Sequence, residues 1–220
     1  MKLYISVVTA PLFIVLAFAV LLAEPLAAQY ARTTPALLDS EWENDRLRVS
    51  RVTAEPGAAL RGADADRILV YLTADADGQM SPAEAVWQPA GSGDLENRGR
   101  ARVDAIAIEL KDAPTRMGRG TPPEALSVSR SAEVRHLVDN PRVLVTGHRS
   151  APGAVVDPPH FHTDDVLVVY LRGGHIWPAA AGWGATRVRR GDVDVVPANT
   201  LHRLANAGGD PLEFLVIVPR

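Results

Sequence analysis

Asn44, Arg46, Val49, Pro56, Gly57 and Ala58 recur 96 positions further on as Asn140, Arg142, Val145, Pro152, Gly153 and Ala154. An internal repeat constrains a fold more than any local pattern, because whatever architecture one copy adopts the other must be able to adopt too. The register continues with small insertions. Val70, Tyr71 and Leu72 return as Val169, Tyr170 and Leu171 at an offset of 99, Pro89 and Ala90 as Pro197 and Ala198 at 108, and Asn97 and Gly99 as Asn206 and Gly208 at 109. Each half then closes on an apolar run, 103–110 in the first and 212–218 in the second.

Within each copy the apolar segments are short, rich in Val, Ile and Leu, and bounded by Pro and Gly, which is the pattern of β-strands. Strands are expected at 47–52, 68–73, 143–148, 166–172 and 192–196. Such close spacing favours a sandwich or barrel over alternating βαβ units. The expected organisation is a first repeat over 38–112, a linker over 113–138 and a second repeat over 139–220. The linker begins with Pro114, Gly118, Gly120, Pro122 and Pro123, and its later part, 124–136, is free to pack onto the second repeat. With 47% apolar and 22% charged residues, 220 residues suffice for two packed cores. A net charge of −3 gives no broad positive field, so nucleic acid is not an expected partner.

Residues 1–30 read differently. Lys2 is followed by uncharged residues up to Glu24, the pattern of a hydrophobic helix serving as an export signal or, if retained, a membrane anchor. The rest of the chain is therefore expected outside the cytoplasm, periplasmic or secreted, with a membrane as partner only if the segment stays attached. Cleavage after Ala28 would leave Leu26 where a small residue is preferred, so both fates stay open. The absence of cysteine removes disulfides and thiolates, leaving nitrogen and oxygen as metal donors.

His160 and His162 stand two residues apart, and on a strand that spacing presents both imidazoles to one centre. His202, from a separate segment, is the candidate third ligand. Three neutral imidazoles would hold a first-row divalent ion and leave coordination positions open. At these residues the sequence resembles the cupin family. The first cupin motif reads here as Gly153, six residues, His160-Phe161-His162, three residues, Val166, six residues, Gly173. The second reads as Gly191, five residues, Pro197-Ala198-Asn199, two residues, His202, three residues, Asn206. The resemblance implies an all-β fold of two tandem double-stranded β-helix barrels, a bicupin, following the N-terminal hydrophobic helix.

Two departures shape the expected function. Where the family carries a glutamate ligand this chain has Val166, so the site is similar to three-histidine cupins, among which are iron dioxygenases acting on thiols or diketones. The implied cofactor is a divalent metal ion, Fe(II) favoured, with Mn, Zn or Ni also suited to the donors. Asp164 and Asp165 lie beside the site, open either to an additional metal or water contact or to a solvated turn. The other departure is in the first repeat, where Arg61, Ala63 and either Gly93 or Asp94 stand opposite the three histidines and Arg67 stands opposite Val166. That copy is expected to have lost its ligands, with Arg67 and Trp87 left to packing or to a small anion site. The expected partner is a small-molecule substrate or ligand, with a homodimer compatible with the family. An enzyme and a non-catalytic binding protein both remain open.

Overall fold

The apolar runs alternate with turn residues too often for helices to form, and among the described residues there are none. The computed structural model describes residues 36–73, 84–112, 132–156, 159–177 and 185–220, all within one compact unit, Pro35–Arg220. Residues 1–30, read as an export signal or anchor, lie outside the described residues.

In the first half, β1 (Leu37–Glu43), β2 (Leu47–Ala54), β4 (Asp66–Tyr71), β5 (Ala85–Gln88) and β7 (Val103–Leu110) form an antiparallel sheet in the order β1-β2-β7-β4-β5. Two short strands, β3 (Ala59–Leu60) and β6 (Leu95–Glu96), pair separately. In the second half, β8 (Ala132–Asn140), β9 (Val143–Ser150), β10 (Val166–Tyr170), β13 (Val193–Val196) and β15 (Leu212–Pro219) form a sheet in the order β13-β10-β15-β9-β8. Facing it is a three-stranded sheet of β11 (Gly174–Trp177), β12 (Thr186–Val188) and β14 (Ala205–Asn206) in the order β12-β11-β14. The expected strands are all present, with ends shifted by one or two residues. β1 lacks the apolar alternation that would reveal it, with Leu37, Leu38 and Trp42 irregularly spaced and six of its seven residues exposed. β8 begins at Ala132, inside the stretch read as linker, whose earlier part lies outside the described residues.

The repeat is visible in hydrogen bonds as well as in sequence. Asn44 Oδ1 accepts the backbone N–H groups of Arg46 and Leu47 at 2.8 and 2.7 Å, and Asn140 Oδ1 accepts those of Arg142 and Val143 at 2.8 and 3.0 Å. Both asparagines thereby close the same β-turn, as Asx side chains do by mimicking a backbone carbonyl. Asn97 Nδ2 donates to the carbonyls of Ala54 and Ala101, each at 2.8 Å, while Asn206 Nδ2 donates to those of Ser150 and Asp210 at 3.1 and 2.8 Å. Even the register irregularity of the edge strand is duplicated, falling between Ser40 and Trp42 in one half and between His136 and Val138 in the other.

Strand alternation sorts the apolar residues into three cores. Val49, Ile68, Val70, Ile106 and Ile108 of the first half pack against Val145, Leu167, Val169, Leu215 and Ile217 of the second, joining the two large sheets face to face. The opposite face of the first sheet buries Val52, Leu69, Tyr71, Ala105 and Ala107. That of the second buries Val168, Tyr170, Phe214 and Leu212 against Val156, Ile176 and Val188. At roughly 1.5–3 kcal/mol per buried aliphatic or aromatic side chain, the shared core makes the two sheets mutually dependent.

Candidate metal centre

In the second half three buried histidines come together. His160 and His202 face each other across an isolated antiparallel bridge, each backbone N–H donating to the other's carbonyl at 2.9 and 2.8 Å. His162 follows two residues on, and its carbonyl accepts the N–H of Asn199 at 2.7 Å. The two histidine-bearing segments are thus stitched together by backbone hydrogen bonds on either side of the imidazoles. Asn199 sits at φ 60°, the left-handed conformation that Asn tolerates better than other non-glycine residues. Its repeat counterpart is Gly91, at φ 80°.

The three imidazoles are buried, and their candidate ligand nitrogens all lie within 4.8 Å of one another. His160 Nε2 and His162 Nε2 are 3.0 Å apart. Two nitrogens bound cis at about 2.05 Å to one ion would be separated by roughly 2.9 Å, so the pair is spaced for a shared metal. His202 Nδ1 lies 2.9 Å from the carbonyl of Thr200, which can only accept; Nδ1 therefore carries the proton and Nε2 presents its lone pair. Burial, reinforced by the neighbouring His160 and His202, lowers the His162 pKa to about 4, so this ring is neutral and able to ligate at physiological pH. The donor set, its burial and its tautomer fit a divalent ion of the first transition row.

The other residues singled out by sequence fall into different roles. Val166 is buried at the start of β10 and offers no donor. Asp164 and Asp165 turn their carboxylates to other partners. Asp164 Oδ1 accepts from Arg46 Nη1 at 2.6 Å, while Asp165 accepts from Asn44 Nδ2 at 2.6 Å and from the Ala198 N–H at 2.8 Å. Tyr170 is buried, its hydroxyl donating to Asp194 Oδ2 at 2.8 Å; burial, with Asp194 beside it, pushes its pKa upward, which leaves it a packing residue rather than a proton carrier. His175 and His136 are exposed. His148 stacks on Phe214 with ring centroids 5.0 Å apart, and burial lowers its pKa to about 4.

In the first half the corresponding positions hold a different arrangement. Arg67, opposite Val166, is buried, with Nε donating to Gln88 Oε1 at 2.6 Å and Nη2 to the Arg61 carbonyl at 2.7 Å. Ala63 is buried opposite His162, and Arg61 is exposed opposite His160. Trp87 packs against the shared core.

Residues 148–218 match the family model of the cupin domain. Among solved structures, the chain is similar to the cupin 2 conserved barrel domain protein from Leptotrichia buccalis, with a TM-score of 0.57 at 15% identity over 89% of this chain and 94% of that one. It is also similar to a salicylate 1,2-dioxygenase from Pseudaminobacter salicylatoxidans, with a TM-score of 0.58 at 9% identity over 88% of this chain and 79% of that one. For an oxalate decarboxylase from Lactobacillus farciminis the TM-score is 0.60 at 11% identity, over 84% of this chain and 81% of that one. No curated protein matches. At these identities the likeness is one of fold, and it defines an all-β architecture with a cupin-type barrel. Within that barrel, His160, His162 and His202 form a group that could hold a metal ion.

Proposed function

We propose that this chain is an exported cupin-domain protein with two tandem barrels, of which the second holds one divalent metal ion through His160, His162 and His202 and acts on a small molecule in the manner of a dioxygenase. The observation that carries the proposal is the convergence of three buried imidazole nitrogens within 4.8 Å. Fe(II) is the favoured ion, and Mn, Zn or Ni suit the same donors. Bound there, the metal supplies a Lewis acid with coordination positions left open by the protein. The chain's own contribution is to keep His162 neutral and to fix the His202 tautomer through Thr200.

The two-barrel reading is supported by the matched sheet orders and duplicated asparagine turns. Export is supported by the uncharged run between Lys2 and Glu24 and by the lack of cysteine. The partner is a small molecule; nucleic acid has no complementary field to bind, and a membrane enters only if the N-terminal segment is retained. A homodimer accords with the fold.

A second reading, a non-catalytic metal- or ligand-binding protein, is favoured by one observation. Both carboxylates nearest the histidines are engaged elsewhere, so proton transfer has no obvious carrier beside the site. Elemental analysis of the protein from its native compartment, beside His160→Ala and His202→Ala, tests the metal centre. Near-stoichiometric metal in the parent and its loss in both variants is expected, whereas equal metal content in all three would overturn the site. Oxygen uptake by Fe(II)-loaded protein with thiols, diketones and hydroxy-aromatic acids separates the readings. Turnover lost in His202→Ala supports the enzyme, and uniform silence of a metal-replete protein supports the binding protein.

A further inference from the structure

The metal-ligand loop of the second half is tied to a turn of the first. Arg46, between β1 and β2, is buried, and its Nη1 lies 2.6 Å from Oδ1 of buried Asp164, two residues after His162. From the same turn, Asn44 Nδ2 donates to Asp165 Oδ2 at 2.6 Å. The other oxygen of Asp165 accepts the N–H of Ala198 at 2.8 Å, in the turn that leads to His202. Asp165 therefore bridges the two segments that supply the histidines, and the first half grips that bridge.

The repeat contains a built-in control. Asp66 is the counterpart of Asp165, and its Oδ1 accepts the N–H of Ala90, the counterpart of Ala198, at 2.8 Å. Arg142, the counterpart of Arg46, reaches across to Asp66 at 3.2 Å. A cross-contact thus runs in both directions, but the reverse one joins arginine to the bridging aspartate itself, because the counterpart of Asp164 is Ala65, and the copy that Arg142 reaches has no histidines. That reverse brace is also longer and wetter, with side chains 37% and 23% exposed against 10% and 12% for Arg46 and Asp164.

We propose that Asn44 and Arg46 are positioning residues for the metal centre of the other half, setting the spacing of His160 and His162 against His202 through Asp164 and Asp165. The inference rests on the metal reading of the three histidines. One buried ion pair at Asp164 and two part-buried hydrogen bonds at Asp165 remove freedom that the ligands would otherwise have to lose on binding. The ligand-less first half is then part of the site without touching the metal.

The test uses the full chain, with Co(II) as probe because its visible bands report coordination geometry. Parent, Arg46→Met, Arg46→Lys, Asn44→Ala and Arg142→Met are compared by competitive chelator titration and visible spectrum, with thermal midpoints recorded in parallel. Arg46→Met should bind Co(II) about 10- to 100-fold more weakly with altered bands, Arg46→Lys should recover part of the loss, and Arg142→Met should leave affinity and spectrum unchanged. Parent affinity and spectrum in Arg46→Met would overturn the proposal, as would an equal loss in Arg142→Met, which would mark a general effect of stability. If Arg46→Met does not fold, Asn44→Ala decides on the same criteria. Failure of the metal reading has a separate signature: a parent that binds no Co(II), or a His160→Ala variant that binds it equally well.

Discussion

The two halves of this protein share a frame and differ in what the frame encloses. Asn44 and Asn140 close equivalent turns, Asn97 and Asn206 tie equivalent loops, and the large sheets have matching strand orders. Inside, the first half places buried Arg67 against Gln88 where the second places Val166 against Val196, and it has Arg61 and Ala63 where the second has His160 and His162. A positive charge fixed in the chain thus occupies the region of the first half that corresponds to a cluster of imidazoles in the second. The difference teaches that turn and interface residues suffice to specify the fold, leaving site residues free to diverge. The first half folds with no histidine at all.

The comparison can be broken most readily in the interiors. Phe214 is fully buried between His148 and Tyr170, while its counterpart in the first half is Ala105. Phe214→Ala should cost about 3–5 kcal/mol in chemical denaturation, and a loss under about 1 kcal/mol would mean that the second interior is not packed around this ring.

Acid should act unequally on the halves. His148 is half-buried with its Nδ1 buried and unpartnered, and desolvation holds its pKa near 4, against an ordinary value of 6.5. Between these values the unfolded chain binds the proton and the folded chain does not, so stability is complete above about pH 6.5 and falls as pH drops toward 4. The loss approaches roughly 3 kcal/mol at the lower end. Denaturation midpoints at several pH values should show this slope. His148→Phe should flatten it in part, with His162 supplying the remainder; an unchanged slope would show that His148 is not the buried base.

A sharper match is expected at the duplicated asparagines. Asn97→Ala and Asn206→Ala each strip a buried loop of two donated hydrogen bonds and of one accepted from Gly99 or Gly208. Each should cost about 2 kcal/mol, and a several-fold inequality in denaturation energies would break the equivalence of the frames. The smallest effect is expected at the left-handed turns. Gly91→Ala should destabilise by about 1 kcal/mol because nothing near its Cβ position would relieve the backbone strain. Asn199→Gly should change stability by less than about 0.5 kcal/mol, as the residue already accepts that conformation. Thermal midpoints of the pair test whether one backbone geometry underlies both.

The supports of the site were harder to read than its ligands. The spacing of His160 and His162 signals two ligands on one extended segment, and the second motif points to His202, because strand parity and turn chemistry are local. Asn44 and Arg46 were visible as repeat anchors, yet nothing along the chain joined them to residues some 120 positions away. For Asp164 and Asp165 the sequence leaves a metal or water contact and a solvated turn both open, and only folding supplies the partners that engage them. Gly191 shows the same limit. Its φ of 83° suits a turn, but a side chain there would also meet Leu72 and Arg51 of the first half at 2.9–3.0 Å.

By itself the sequence determined that the chain is a duplicated all-β unit with one copy bearing histidines at ligand spacing, since repeats, alternation and turn residues are written in short stretches of chain. The tertiary structure decided the mutual burial of the two sheets, the burial that keeps His162 neutral, and the grip of Arg46 and Asn44 on the loops that carry the histidines. Those properties depend on which distant groups displace water from one another, and that displacement exists only once both halves have packed.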